Sequence, residues 1–242
     1  MVPGTGTLLN MATVLVGSGM GVALGGRLPE RTRTTVTDVL GLVTLVIGAL
    51  NVASLADPAL RGAVGDSAPL LIVLGALLVG GIAGSLLGLE SRLEGSGAWL
   101  QRRLSGAGSS AARERFVEGY VSASLVFVVG PLSDGLGRGI DQLALKSTLD
   151  GFAALAFAAS FGWGVAASAL SVGVVQGLLT LLGALLGGLL PEALVASVTA
   201  TGGVLLRGGA LRLLQLRAVA VGDMLPALVA APLLTALVQS LR

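Results

Sequence analysis

Only 12% of the 242 residues are charged against 54% hydrophobic, too little polar surface to wet a soluble globule of this size. The 15 basic and 13 acidic side chains leave a net charge of +2, and the basic ones gather between apolar runs, which orients a protein in a membrane and argues against nucleic acid as a partner. Cysteine and histidine are both absent, which excludes disulfides, thiolate and imidazole chemistry and the usual zinc or haem ligands.

A membrane span needs about 20 mostly apolar residues, and eight such stretches follow one another at about 6–26, 37–56, 68–89, 116–133, 147–163, 165–189, 193–214 and 221–240. The expected fold is an all-α integral membrane protein of one polytopic domain over 1–242. The first run lacks a basic segment before it and is followed by Arg27, Arg31 and Arg33, so it reads as a retained span rather than a secretory signal. The one long connection, 90–115, is rich in Ser and Gly and carries Trp99 and five arginines. It is expected to be a cytoplasmic loop with a short surface helix around 97–104. Phe161-Gly162-Trp163-Gly164 is the sole break between spans five and six, and the parity of everything after it depends on that break.

With both termini outside, Arg27, Arg31, Arg33, Arg92, Arg102, Arg103, Arg113, Arg115, Arg212 and Arg217 fall in the cytoplasm, as the positive-inside rule expects. Residues 21–41 realign on 183–203 at a constant offset of 162, with 10 identities in 21 positions. The matches include Leu28-Pro29-Glu30 on Leu190-Pro191-Glu192 and Val36-Thr37 on Val198-Thr199. Spans one and two would then be related to spans six and seven in opposite senses, the inverted internal repeat of many secondary transporters. Glycines at Gly17, Gly21 and Gly25, at Gly80, Gly84 and Gly88, and at Gly183 and Gly187 line single helical faces, as in close-packed helix seams.

Charges inside spans are costly and so are functional candidates. Glu118 opens span four and Asp150 opens span five, each followed by glycine and an aromatic residue. Such a pair suits cation or proton binding between inverted halves, with Asn10, Ser124, Thr148 and Gln176 lining the path. The plainer reading of both acids is a carboxylate favoured at a helix start or paired with Arg115 and Lys146. Arg207, deep in span seven, calls for an acid, and Glu118 is its expected partner in a buried ion pair. No nucleotide loop, metal-ligand cluster or nucleophile with a base is present, so neither enzyme activity nor a cofactor is expected. The expected partners are the lipid bilayer and a small ion or polar solute, with a homo-oligomer plausible for so small a bundle. The rival expectation is a non-transporting scaffold or regulator acting through the arginine-rich 90–115 segment.

The chain resembles the YqgA/YdfK-like bacterial membrane proteins grouped as the domain of unknown function 554 family. The motifs that carry this are Gly6-Thr7-Leu8-Leu9-Asn10, Gly26-Arg27-Leu28-Pro29, Phe116-Val117-Glu118-Gly119, Gly130-Pro131, Leu149-Asp150-Gly151, Gln176-Gly177 and Met224-Leu225-Pro226-Ala227-Leu228. The resemblance implies a polytopic protein of the bacterial inner membrane with no established activity. It also implies asparagine at two positions where this chain has Arg212 and Asp223.

Overall fold

The computed structural model describes residues 5–25, 29–105, 109–129, 140–185 and 191–242. Their regular structure is helical: α1 (Thr5–Gly25), α2 (Glu30–Val52), α3 (Pro58–Val64), α4 (Ala68–Leu87), α5 (Leu89–Ser105), α6 (Ser110–Val129), α7 (Ile140–Phe161), α8 (Trp163–Leu185), α9 (Glu192–Leu213) and α10 (Ala227–Ser240). Short 3-10 turns occupy Ala53–Ala56 and Gly222–Met224.

The two Pro-Glu pairs of the sequence repeat start helices in the same way. Pro29 (φ −58°, ψ 151°) precedes α2 and Pro191 (φ −57°, ψ 141°) precedes α9, with Glu30 and Glu192 in the first turns. Proline has no N–H to leave unpaired there, and the glutamate complements the positive end of the helix dipole. The segments just before them, 26–28 and 186–190, lie outside the described residues. Asp57 caps α3 by accepting the Ala59 N–H at 2.8 Å. Gly88 ends α4 with φ 60°, a left-handed position that favours glycine.

Glycines set the helix registers by letting backbones touch. Gly17 lies against Gly151, Gly21 against Leu155 and Gly25 against Ala159, so α1 and α7 run parallel in the bundle's most extensive helix contact. Gly41 lies against Ala210 and Leu214, and Gly48 against Gly203, so α2 and α9 run antiparallel. Gly80 against Ala227 and Gly84 against Asp223 pair α4 with α10 in the same antiparallel sense.

The chain breaks between α7 and α8 at Gly162, which has φ 78°. Gly151 precedes that break and Gly173 follows it by the same number of residues, yet they meet Thr13 and Met11 respectively, within one turn of α1. The two helices therefore form an antiparallel hairpin. α6 runs beside α8, with Gly119 on Phe161 and Val165, and Gly164 on Phe116. It is enclosed over most of its circumference: Phe116 and the run from Tyr120 to Ser124 are buried, as is Phe127.

Outward faces are apolar. Leu42, Val46 and Leu50 of α2, Leu70, Leu74, Leu78 and Ile82 of α4, and Val229 and Leu233 of α10 are exposed, a surface that lipid solvates and water does not. Among the described residues, five helices are long and apolar enough to cross a membrane: Thr7–Gly25, Glu30–Ala56, Ala68–Leu87, Glu192–Leu213 and Gly222–Ser240. α7 and α8 contribute the shorter apolar stretches Asp150–Phe161 and Trp163–Val174. α6, which begins with Arg113, Glu114, Arg115 and Glu118 in its first turns, is not among those five.

The 90–115 segment departs from expectation. Instead of a loop with one short helix, it holds the 17-residue α5. Leu93 and Leu100 of α5 pack on the cluster built from Phe116, Tyr120, Leu205 and Val221, while Gly97 lies beneath the Tyr120 ring.

Candidate functional site

A cleft of about 910 Å³ opens where α5, α6 and the end of α9 meet. α5 supplies Ser91 and Glu94, α6 supplies Arg113, Glu114, Val117 and Glu118, and α9 supplies Arg212. Glu114 and Glu118 are four residues apart, so they stand one above the other on the same helical face. Arg212 donates to Glu90, and its second terminal nitrogen reaches Glu94 at 3.4 Å. The other Glu90 oxygen accepts the Gly222 N–H at 2.6 Å, and the Glu90 N–H donates to Asp223 Oδ1 at 2.8 Å. Glu90 thus fastens α5 both to α9 and to the turn before α10. With Arg212 engaged by Glu90 and Glu94, the charged residues of the cleft without an ion pair among the described residues are Arg113, Glu114 and Glu118.

Just inside, Tyr120 ties three helices together. Its hydroxyl accepts from Ser171 at 2.7 Å and from Ser96 at 3.2 Å. Deeper still, polar atoms lose their partners. Asn10 is 2% exposed, and neither its amide nitrogen nor its oxygen has a hydrogen-bond partner. The buried hydroxyls of Ser18, Ser122, Ser124 and Ser147 are equally unpartnered. These groups lie on α1, α6 and α7, beside glycine seams and an apolar core that includes Val14, Phe127 and Phe157. A buried donor or acceptor left unmade costs about 1–3 kcal/mol, so five such residues, on two helices that both contact α7 and on α7 itself, are a cost that packing alone does not explain.

The structure distributes the expected site residues unevenly. Asn10 and Ser124 are buried among the unpartnered groups. The contact of Thr13 with Gly151 brings Asn10, Ser147 and the partly buried Asp150 to neighbouring levels of the α1–α7 seam. Thr148 does not join them: it is exposed, because successive helical positions diverge by about 100° and Ser147 takes the inward one. The Gln176 side chain lies outside the described residues.

Glu118 and Asp150 are in series, not side by side. Gly119 abuts Phe161, the last residue of α7, so Glu118 is level with the end of that helix. Asp150 precedes that end by 11 residues, roughly 16 Å of helix axis at about 1.5 Å per residue. The charged side chains that act on Glu118 are Arg212 and Glu114. Arg207 makes no ion pair with Glu118 among the described residues; its stem lies against Gly48 of α2 instead. Glu90, Glu94, Glu114 and Tyr120 were not singled out from the sequence as site residues. The i, i+4 spacings of Glu90 with Glu94 and of Glu114 with Glu118 are local signals that could have found the acids.

The family model described as "Protein of unknown function (DUF554)" matches residues 5–236. The "Uncharacterized protein YqgA" of Escherichia coli (strain K12) is 31% identical over 237 residues, covering 96% of each chain. The "Uncharacterized membrane protein YdfK" of Bacillus subtilis (strain 168) is 23% identical over 233 residues, covering 94% of this chain and 93% of that one. No solved structure matches.

Proposed function

The chain belongs to the DUF554 family, and from its own residues we propose that it is a small secondary transporter or ion-conducting protein of the bacterial inner membrane, not an enzyme, that moves a cation or proton along a polar route through the bundle. Glu118 receives the ion in the α5–α6–α9 cleft, and Asp150 takes it deeper, past Ser122, Ser124, Asn10 and Ser147. The observation that carries this reading is the set of unpartnered buried polar groups on α1, α6 and α7. Water or an ion passing through supplies the partners that the protein withholds.

Eight spans and inverted halves are part of the same reading. The charges in the first turns of α6 agree with it, because a helix walled by protein does not have to dissolve in lipid. The repeat is supported by how contacts exchange under the offset of 162, which relates Gly41 to Gly203 and Gly48 to Ala210. A methyl at Gly41 would lie 3.5 Å from the Ala210 carbonyl oxygen, and one at Gly48 would lie 2.8 Å from that of Gly203. Each contact is the image of the other. Met11 and Gly173 also correspond at that offset, and they touch each other, as residues on a two-fold axis do. In this reading the arginine-rich end, with α5, is cytoplasmic and both termini are outside.

The test is ion flux into proteoliposomes under an imposed proton or cation gradient. Glu118→Gln and Asp150→Asn are each expected to slow it severely; equal flux in the wild type and both variants would sink the reading.

A further inference from the structure

A second cleft, of about 460 Å³, opens at the same end of the bundle on the opposite face of α6. Its α6 wall is Ala112, Arg115 and Phe116, half a helical turn away from the residues facing the Glu118 cleft. The remaining polar wall is Arg33 of α2, Gln101 of α5, Ser160 of α7, and Gly162 and Trp163, where α7 gives way to α8.

Two features set this cleft apart. Among the described residues its lining contains two guanidinium groups and no carboxylate, and neither Arg33 nor Arg115 is in an ion pair. In addition, Arg33 is only partly satisfied by protein. It donates from one terminal nitrogen to the Gly25 carbonyl that closes α1, while its Nε is buried with no partner.

The 23-residue α8 begins at Trp163 on the rim, so the positive end of its dipole adds to the same field. Gly162, with φ 78° and nothing within 4 Å of a would-be Cβ, leaves the approach to that helix end clear. Trp163 itself is 58% exposed, as befits an indole at a membrane–water interface.

We propose that this cleft binds a phosphate oxyanion, carried by the headgroup of an anionic phospholipid or free in solution. Arg33 and Arg115 clamp the oxygens through charge-assisted, fork-shaped donation, and the α8 N-terminus faces the remaining charge. The site is separate from the Glu118 cleft and does not depend on the transport reading.

The full-length protein, purified in a neutral detergent, is titrated with phosphatidylglycerol under native mass spectrometry; in parallel its unfolding temperature is followed in inorganic phosphate against chloride at equal ionic strength. Arg115→Gln, an exposed position on α6, is expected to weaken binding roughly tenfold. Arg33→Lys keeps a donor for the end of α1 while losing the fork, and is expected to weaken it as well. Arg103→Gln, at the same end but outside the cleft, is expected to change nothing. Weakening confined to the lipid arm assigns a headgroup phosphate, and weakening confined to the phosphate arm assigns the free anion. Wild-type behaviour of Arg115→Gln and Arg33→Lys in both arms overturns the proposal, as does an equal loss in Arg103→Gln.

Discussion

Gly48 and Gly203 lie against each other's carbonyl oxygens where α2 crosses α9: a methyl on the first would stand 2.8 Å from the second's oxygen, and a methyl on the second 2.7 Å from the first's. Both obstacles are backbone, so neither can swing aside. Gly48→Ala and Gly203→Ala are each expected to cost about 1–3 kcal/mol by forcing the helices apart. Gly209→Ala, on the same helix with nothing within 4 Å, is expected to be neutral or to gain about 0.5–1 kcal/mol of helix propensity. Detergent-titrated unfolding, followed through Trp99 and Trp163, the only two tryptophans, separates the three variants. Equal stability of all three would mean that the crossing is loose.

The seams at Gly17, Gly21 and Gly25 and at Gly80 and Gly84 were readable in the sequence because small residues at helical spacing have few other uses in lipid, whereas Gly48 and Gly203 were not singled out and Gly88 ends α4 instead of lining a seam. The same holds for the start of α9 after Pro191 and for the break at Gly162, whereas α2 starts at Glu30, seven residues before the span expected at 37. Of α5, only the stretch around 97–104 was readable. Gly95, Ser96 and Gly97 look like loop composition, and only the Tyr120 ring packed on Gly97 shows why a helix tolerates them. Partner choice was hidden for a different reason. Matching Arg207 to Glu118 by depth ignores helix rotation, and rotation turns Arg207 toward Gly48 while bringing Arg212 to Glu90. The likeness of the Glu118 and Asp150 motifs likewise carries no information on the register of α6 against α7, which separates the two acids.

Arg212 and Asp223, the two positions where the family resemblance implies asparagine, both bind Glu90. Arg212→Asn alone leaves Glu90 and Glu94 without their shared counter-charge. An expected loss of about 1–3 kcal/mol follows. Asp223→Asn keeps an oxygen to accept the Glu90 N–H and is expected to stay within about 0.5 kcal/mol of wild type. The double variant also removes the negative charge of Asp223, which is bonded to the Glu90 backbone, so it is expected to be more stable than Arg212→Asn alone. A double-mutant cycle on unfolding midpoints measures this coupling; strict additivity would show that the two substitutions are independent.

Asn10→Leu and Ser147→Ala separate a wet route from a packing defect. Each removes buried polar atoms that lack partners, and replacing such a group by an apolar one of similar shape is close to neutral or stabilising. Stability is therefore expected to hold or rise in both. Flux through proteoliposomes is expected to fall, most in Asn10→Leu, where an amide with two unused ends becomes hydrocarbon. Undiminished flux alongside raised stability would identify the polar layer as a mere imperfection in the core.

The hairpin at Gly162 decides the sense of every helix after it, and the absence of native cysteine makes that sense directly measurable. Trp163 joins the end of the bundle that holds Arg92 and Arg217, because α6 and α8 begin together with Phe116 on Gly164, and Arg217 follows the end of α9 beside α5. Asp66 precedes α4, Glu192 opens α9 and Leu241 follows α10, all at the opposite end. Single cysteines at 92, 163 and 217 are expected to react with a membrane-impermeant maleimide only from the cytoplasmic face, and those at 66, 192 and 241 only from the outer face. Labelling of 163 and 192 from one side would mean that α8 does not cross. The segments 21–41 and 183–203 would then no longer be opposed, and ion movement between inverted halves would lose its geometric basis.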